Sequence, residues 1–210
     1  MGKLKTACAV LGMISTNCYF AENTETGEVL IIDPADDAFA VRSWCLNDGR
    51  KPAAILLTHG HFDHIMGLDA LLAEFRVPVY AHEAERELLE SEQLNSSVSM
   101  LGQPYSFSGA EYVTNRQNLK TAGFEIQVIY TPGHTIGGCC YYIPEEKALF
   151  SGDTLFHGSV GRTDLPTGSM GQLVNSIRDR LFVLPDDTKV YPGHMEETTI
   201  GYEKKYNPFI

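Results

Sequence analysis

The stretch Thr58-His59-Gly60-His61-Phe62-Asp63-His64 places three imidazoles and one carboxylate within six residues of a chain of 210. It follows an apolar run at 53–57, which is typical of a buried strand, and it precedes helical spacing over 65–75. We therefore predict a loop at the carboxyl end of a strand. Loops held by a rigid scaffold are where binding and catalytic side chains usually lie.

The spacing within this loop favours two metal ions over one. His59 and His61 alternate by two, so both imidazoles project to the same side of an extended segment. Asp63 and His64 come where the chain turns into the helix, and they can face a neighbouring position. Four ligands this close cannot all bind one ion in unstrained tetrahedral geometry. They suit two adjacent ions that residues from elsewhere complete.

Three further candidate ligands follow three other predicted strands, and each lies in a turn that contains glycine. They are His134 after Pro132-Gly133, Asp153 after Gly152, and His194 after Pro192-Gly193. A single histidine in such a turn is usually only a polar turn residue. Here, however, five of the seven histidines follow strand ends, where a shared site forms. We predict a pair of metal ions held by His59, His61, Asp63, His64, His134, Asp153 and His194.

The rest of the chain predicts an α/β protein with a single domain over 1–210. Short β-type runs at 4–10, 18–21 and 29–32 come first, and strands and helices then alternate. Helical patterns cover 37–46, 65–75, 83–90, 169–184 and 198–206. Further strands are predicted at 77–81, within 111–131, at 138–143 and 148–150 as a hairpin, and at 189–191. The segment 91–108 is polar, and we expect a short helix and a loop that lie over the candidate site.

The composition excludes some classes of binding partner. A formal net charge of −11 argues against nucleic acid, whose binders need clustered Lys and Arg. No apolar stretch approaches a membrane span, and the short one near the N-terminus predicts a strand and not a signal peptide. Five cysteines without a C-x-x-C motif indicate reduced thiols. We expect a cytoplasmic protein that acts on a small molecule, with its oligomeric state left open.

The H-x-H-x-D-H run at 59–64, with His134, Asp153 and His194 downstream, resembles the metallo-β-lactamase superfamily over nearly the whole chain. The resemblance implies a four-layer αββα sandwich with the active site at one edge. It also implies a first metal on His59, His61 and His134, and a second metal on Asp63, His64 and His194, with Asp153 bridging the two.

Asp153 distinguishes between subgroups of this superfamily, because its true β-lactamases usually carry a cysteine at that position. The stretches 151–156 and 161–162 look like the glyoxalase II group, which hydrolyses acyl-glutathione thioesters. That group usually has a further C-terminal helical domain, whereas this chain ends sixteen residues after His194. Asp164 and Glu196 take the places of its glutathione-binding aromatic residues, and Arg162 that of a lysine. The chain most resembles the short, single-domain hydrolases of this type.

Gly161-Arg162-Thr163-Asp164 also resembles the persulfide dioxygenases of the same superfamily. Those enzymes use one iron, whose ligands would here be His59, His134 and Asp153, a set that suits Fe(II) and oxygen. Lactone hydrolysis and a non-catalytic metal-binding module remain further alternatives.

The mechanistic hypothesis is hydrolysis of a thioester or related ester by a metal-bound hydroxide, with Asp63 orienting it and relaying its proton. Zinc is the expected metal, with iron and manganese as alternatives. Asp33 and Thr58 are candidates to orient the ligands, although Asp33 could simply form an Asp-Pro turn. Arg162 is a candidate to bind a substrate carboxylate, or else forms a surface salt bridge. His157 is a further candidate for substrate contact.

Overall fold

Two six-stranded sheets lie face to face in the computed structural model, which describes residues 2–210. The first sheet has the order β1 to β6, antiparallel through β3 and parallel from β3 onward. Its strands are Leu4–Leu11, Thr16–Asn23, Glu28–Ile32, Lys51–Leu56, Val79–His82 and Glu111–Val113.

The second sheet contains β7 to β10, which form antiparallel neighbours, followed by two later strands. These four strands are Asn118–Thr121, Phe124–Tyr130, Cys139–Ile143 and Ala148–Gly152. A separate small hairpin, β11 and β12, consists of Leu155–Phe156 and Ser159–Val160. Strand β13 (Lys189–Pro192) then pairs in parallel with β10, and β14 (Thr198–Thr199) pairs with β13 at the edge.

Helices cover the outer faces of both sheets. They are α1 (Ala38–Leu46), α2 (Phe62–Ile65), α3 (Leu68–Glu74), α4 (Arg86–Leu89), α5 (Ser97–Leu101), α6 (Met170–Ser176) and α7 (Ile200–Tyr206). On the first sheet, Val41 of α1 and Leu71 of α3 pack in one core cluster with Ile31 and Ile55. On the second sheet, α6 and α7 pack against strand residues that include Leu149 and Val190. The layers are α, β, β and α, as predicted.

The central core explains why β3 is apolar at successive positions. Leu30 and Ile32 face the second sheet and pack in one cluster with Ile126 and Phe150, whereas Ile31 faces the helices. Side chains alternate between the two faces of a strand, and here both faces are buried. The sheets are also joined by the Tyr141 hydroxyl, which donates to Leu57 O at 3.0 Å and Tyr80 O at 3.2 Å.

Several element boundaries differ from the prediction. The helix expected over 65–75 is two helices, because Gly67 N donates to Ala35 O at 2.6 Å and breaks the helical bonding. The segment expected as a helix over 83–90 begins as a 3₁₀ turn at Glu83–Glu85, followed by α4. The pattern over 169–184 ends in one π turn at Ile177–Leu181, and the last helix is preceded by β14. The β11–β12 hairpin was not predicted.

The carboxyl ends of β4, β8, β10 and β13 meet at one edge of the sandwich. Backbone hydrogen bonds join the loops that follow them: Cys139 N donates to Thr58 O at 2.8 Å, and Gly193 N donates to Gly152 O at 2.9 Å. The segment 91–108 adjoins this edge, because Phe62 N at the start of α2 donates to Asn95 O at 3.0 Å. Within residues 2–210 no helix combines the length and apolarity needed to cross a membrane.

Candidate metal centre

The first cluster at this edge consists of His59, His61 and His134, all buried. Each offers a nitrogen, and these atoms lie within 4.8 Å of one another. His61 Nδ1 is 2.9 Å from His134 Nε2, and the two ring planes are 84° apart. His59 and His61 come from the loop after β4 in the first sheet, whereas His134 follows β8 in the second. The cluster therefore exists only because the two sheets pack together.

The second cluster consists of Asp63, His64 and His194. Asp63 Oδ2 lies 3.2 Å from His64 Nε2 and 3.4 Å from His194 Nε2. Asp153 lies between the clusters: Oδ2 is 3.5 Å from His134 Nε2 and 3.6 Å from His194 Nε2, and Oδ1 is 3.6 Å from His64 Nε2. The structure thus brings together all seven residues that the sequence singled out.

Backbone carbonyls hold two of the imidazoles. His134 Nδ1 donates to Arg162 O at 2.7 Å, and His194 Nδ1 donates to Ser15 O at 3.3 Å. In both residues Nδ1 therefore carries a proton, and Nε2 faces Asp153. This arrangement is typical of metal-binding histidines, whose second nitrogen is fixed by an acceptor outside the site.

Asp33 and Thr58 contact the imidazoles of His64 and His59. The Asp33 carboxylate accepts from Thr58 N at 2.8 Å and from Thr58 Oγ1 at 2.6 Å, and its Oδ2 lies 3.0 Å from His64 Nδ1. Thr58 Oγ1 gives its proton to Asp33, so it accepts at 3.1 Å from His59 Nδ1. One buried carboxylate therefore contacts His64 directly and supports His59 through Thr58.

The donor set fits divalent cations. Burial, reinforced by the neighbouring imidazoles, lowers the pKa of His59 and His61 well below the usual value, so both rings are held neutral, as metal binding requires. His59 Nε2, His61 Nε2 and Asp153 Oδ1 are buried without a hydrogen-bond partner among residues 2–210. Buried polar atoms seldom stay unpartnered, and ions are one way to satisfy them. Imidazole and carboxylate together suit zinc and iron.

Asp63 is held by a residue that the sequence did not single out. Thr16 Oγ1 donates to Asp63 Oδ2 at 2.7 Å. Burial acts to raise the pKa of Asp63, but the charge of His64 and hydrogen bonds from His194 and His64 outweigh it and hold this pKa well below its ordinary value. Asp63 is therefore a carboxylate. The neighbouring Asn17 donates from Nδ2 to Pro192 O and Met195 O, each at 2.9 Å, and fixes the turn that carries His194.

The two substrate-binding candidates lie outside both clusters. The exposed Arg162 side chain forms a two-bond fork with Asp164 at 2.7 and 2.8 Å, so it makes the surface pair that was the alternative interpretation. His157 Nδ1 lies 3.2 Å from Glu196 Oε1, and its ring packs edge-on against Tyr202 at 4.8 Å. Contact of Arg162 or His157 with substrate stays a prediction.

Replacing Asp33 with asparagine should weaken metal binding. Both Thr58 donors point at the carboxylate, and an amide offers one acceptor oxygen and presents an NH₂ group to the other donor. We expect a loss of about 10–100-fold in metal affinity, measured by competition with a chelator. Asp37→Asn is the matched control, because Asp37 caps α1 and asparagine caps equally well. Parental affinity in Asp33→Asn would contradict the role given to Asp33.

A family model described as the metallo-beta-lactamase superfamily matches residues 11–194. The chain belongs to this superfamily. Among curated superfamily members, it is 36% identical over 201 residues to the probable metallo-hydrolase YqgX of Bacillus subtilis (strain 168), covering 95% of this chain and 94% of the relative. It is also 36% identical over 184 residues to the hydroxyacylglutathione hydrolase GloC of Haemophilus influenzae, covering 86% of each.

Solved structures of metallo-β-lactamase superfamily members share the whole architecture. The BLEG-1 B3 metallo-beta-lactamase superposes with a TM-score of 0.93 at 42% identity, covering 98% of this chain and 99% of that one. TTHA1623 in a di-iron-bound form superposes with a TM-score of 0.86 at 36% identity, covering 97% and 100%. The chain is thus a member of a metallo-hydrolase family, with a histidine and aspartate cluster that can hold metal.

Proposed function

We propose that this protein is a binuclear metallo-hydrolase that cleaves an acyl-thioester or a related ester, with zinc as its metal. The observation that carries the proposal is the position of Asp153. Its carboxylate lies 3.5 to 3.6 Å from nitrogens of both clusters, as expected of a ligand shared by two adjacent ions.

In this proposal His59, His61 and His134 would hold the first ion, Asp63, His64 and His194 the second, and Asp153 would contribute to both. When bound, the ions would lower the pKa of a coordinated water from 15.7 towards about 7 and would polarise the substrate carbonyl. Asp63 is the proposed proton acceptor, because it is a carboxylate of the second cluster that Thr16 holds in a fixed orientation. A thiolate leaving group needs little protonation, so the mechanism does not require a dedicated acid.

The chain's own thiols do not suit the role of nucleophile. Burial raises the pKa of Cys45 to about 12 and that of Cys140 to about 11, so both stay protonated near neutral pH, and the thiolate is the reactive form. A water-derived nucleophile is therefore the better fit to this site.

Two considerations support a thioester substrate that the protein does not bind through the carboxylates of glutathione. GloC, at 36% identity, is named a hydroxyacylglutathione hydrolase, which favours thioester chemistry for this chain. The Arg162 side chain, however, is already engaged by Asp164, and the Glu196 carboxylate lies next to His157. We propose that the acyl part of the substrate, more than an anionic thiol part, determines binding.

Persulfide dioxygenation with a single iron is the second candidate. His134 Nε2 and Asp153 Oδ2 are 3.5 Å apart, and with His59 they make the two-histidine, one-carboxylate set that suits Fe(II). The di-iron form of TTHA1623 shows that a relative of 36% identity accepts iron.

Metal analysis of native protein, paired with an anaerobic assay, tests the proposal. We expect about two divalent ions per chain and release of thiol from a simple acyl-thioester without oxygen. Iron near one per chain, with oxygen consumed on a persulfide and no thioester cleavage, would establish the second candidate instead. Hydrolysis of a chromogenic β-lactam in preference to the thioester would contradict the substrate class.

A further inference from the structure

A buried carboxylate outside the seven clustered residues lies directly behind the first cluster. Glu85, at the end of the 3₁₀ turn that follows β5, is 1% exposed. Its carboxylate accepts three hydrogen bonds: from Gly137 N at 2.7 Å, from Gly60 N at 2.8 Å and from Thr135 Oγ1 at 3.1 Å. Burying a carboxylate is costly unless it is compensated in this way, so the position needs an explanation.

The donors belong to two different loops that carry the first cluster. Gly60 lies between His59 and His61, and it donates to Oε1. Thr135 follows His134, and together with Gly137 it donates to Oε2. One carboxylate therefore joins the loop after β4 in the first sheet to the loop after β8 in the second.

Glycines in both loops approach the segment of Glu85 and α4 closely. A Cβ atom on Gly137 would lie 2.2 Å from Glu85 N, and one on Gly60 would lie 2.8 Å from Leu89 Cδ2. Both loops thus press against the segment that holds Glu85. Burial raises the pKa of Glu85 to about 7, while its three hydrogen bonds act in the opposite direction.

We propose that Glu85 is a positioning residue that sets the separation between His59, His61 and His134, and thereby the metal affinity of the first cluster. The inference rests on the proposed function, because it requires that this cluster binds an ion. It assigns Glu85 no contact with substrate or with the reacting water.

The test isolates the first cluster in a His194→Ala background, which removes one member of the second cluster. In that background Co²⁺ binding is followed by its visible absorption, in competition with a chelator. Glu85→Gln keeps the size of the side chain but presents an NH₂ group to one loop. We expect affinity for Co²⁺ to fall about 10–100-fold and the absorption spectrum to change, because the three imidazoles no longer hold their spacing.

Glu203→Gln is the matched control. Glu203 is also 1% exposed, and it accepts from Gly158 N, from Thr198 Oγ1 and from Asn207 Nδ2. These bonds join α7 to the β11–β12 hairpin and touch neither cluster. We expect Glu203→Gln to lower the thermal unfolding temperature while Co²⁺ affinity and spectrum stay parental.

Two variants of Thr135, which change only one hydrogen bond to Glu85, test the same inference if Glu85→Gln does not fold. Thr135→Val removes one of the three hydrogen bonds and should weaken Co²⁺ binding by a smaller factor, below about tenfold, whereas Thr135→Ser keeps the hydroxyl and should restore parental binding. Parental affinity and spectrum in Glu85→Gln, or in Thr135→Val, would overturn the role of Glu85 alone. A parental protein that binds no metal would overturn the proposed function and this inference with it.

Discussion

Asp63→Asn should lower kcat/KM for a thioester by about 10²–10⁴-fold, the range typical of losing a positioned proton acceptor. Asparagine has nearly the same shape, and its amide oxygen can still accept the Thr16 hydroxyl that now donates to Oδ2 at 2.7 Å. It cannot, however, take a proton from water near neutral pH. The variant should therefore fold and keep its loops in place while losing turnover.

The measurement reports kcat/KM per bound metal ion, because an amide is also a weaker ligand than a carboxylate. Metal content by elemental analysis separates the two effects. Thr16→Val is an informative companion: it leaves the carboxylate but removes its hydrogen bond, so we expect a smaller loss than in Asp63→Asn. Full turnover by Asp63→Asn with both ions bound would remove Asp63 from the mechanism.

The seven residues of the two clusters could be singled out because each follows a strand and none depends on a distant partner for its identification. Three imidazoles and a carboxylate in one loop form a pattern visible without a structure, and His134, Asp153 and His194 repeat one setting. The order of strands and helices predicted the α/β class, and the resemblance to the metallo-β-lactamase superfamily predicted the four-layer sandwich.

The supporting residues could not be predicted, for a physical reason. Glu85 lies in a charged run beside the exposed Glu83 and Glu87, and only packing of the two loops distinguishes it. Arg162 was singled out for its side chain, yet its contribution to the cluster is a backbone carbonyl, which every residue type possesses. The break between α2 and α3 depends on the hydrogen bond from Gly67 to Ala35, a contact between separate segments.

Close approach explains why residue 193 is glycine. The φ angle of Gly193 lies outside the left-handed region, so the backbone conformation does not by itself require glycine. A Cβ atom at Gly193 would lie 2.2 Å from Asp153 Oδ1 and 2.9 Å from His64 Cε1.

Gly193→Ala should therefore reduce kcat/KM by at least about 10²-fold, the cost associated with a misplacement of about 1 Å in an active site. The added methyl group must displace Asp153, the carboxylate shared by the two clusters, and we expect the variant to retain fewer than two ions per chain. Because alanine tolerates the backbone conformation at 193, the variant should fold. Activity, metal content and thermal unfolding are measured on the same sample.

Gly171→Ala is the matched control, since no atom lies within 4 Å of a Cβ added at that position in α6. Alanine is the better helix former by up to about 1 kcal/mol, so this variant should be slightly more stable and equally active. Parental activity and two bound ions in Gly193→Ala would mean that Asp153 can move without consequence. The shared position of Asp153, from which the binuclear mechanism is argued, would then have no catalytic importance.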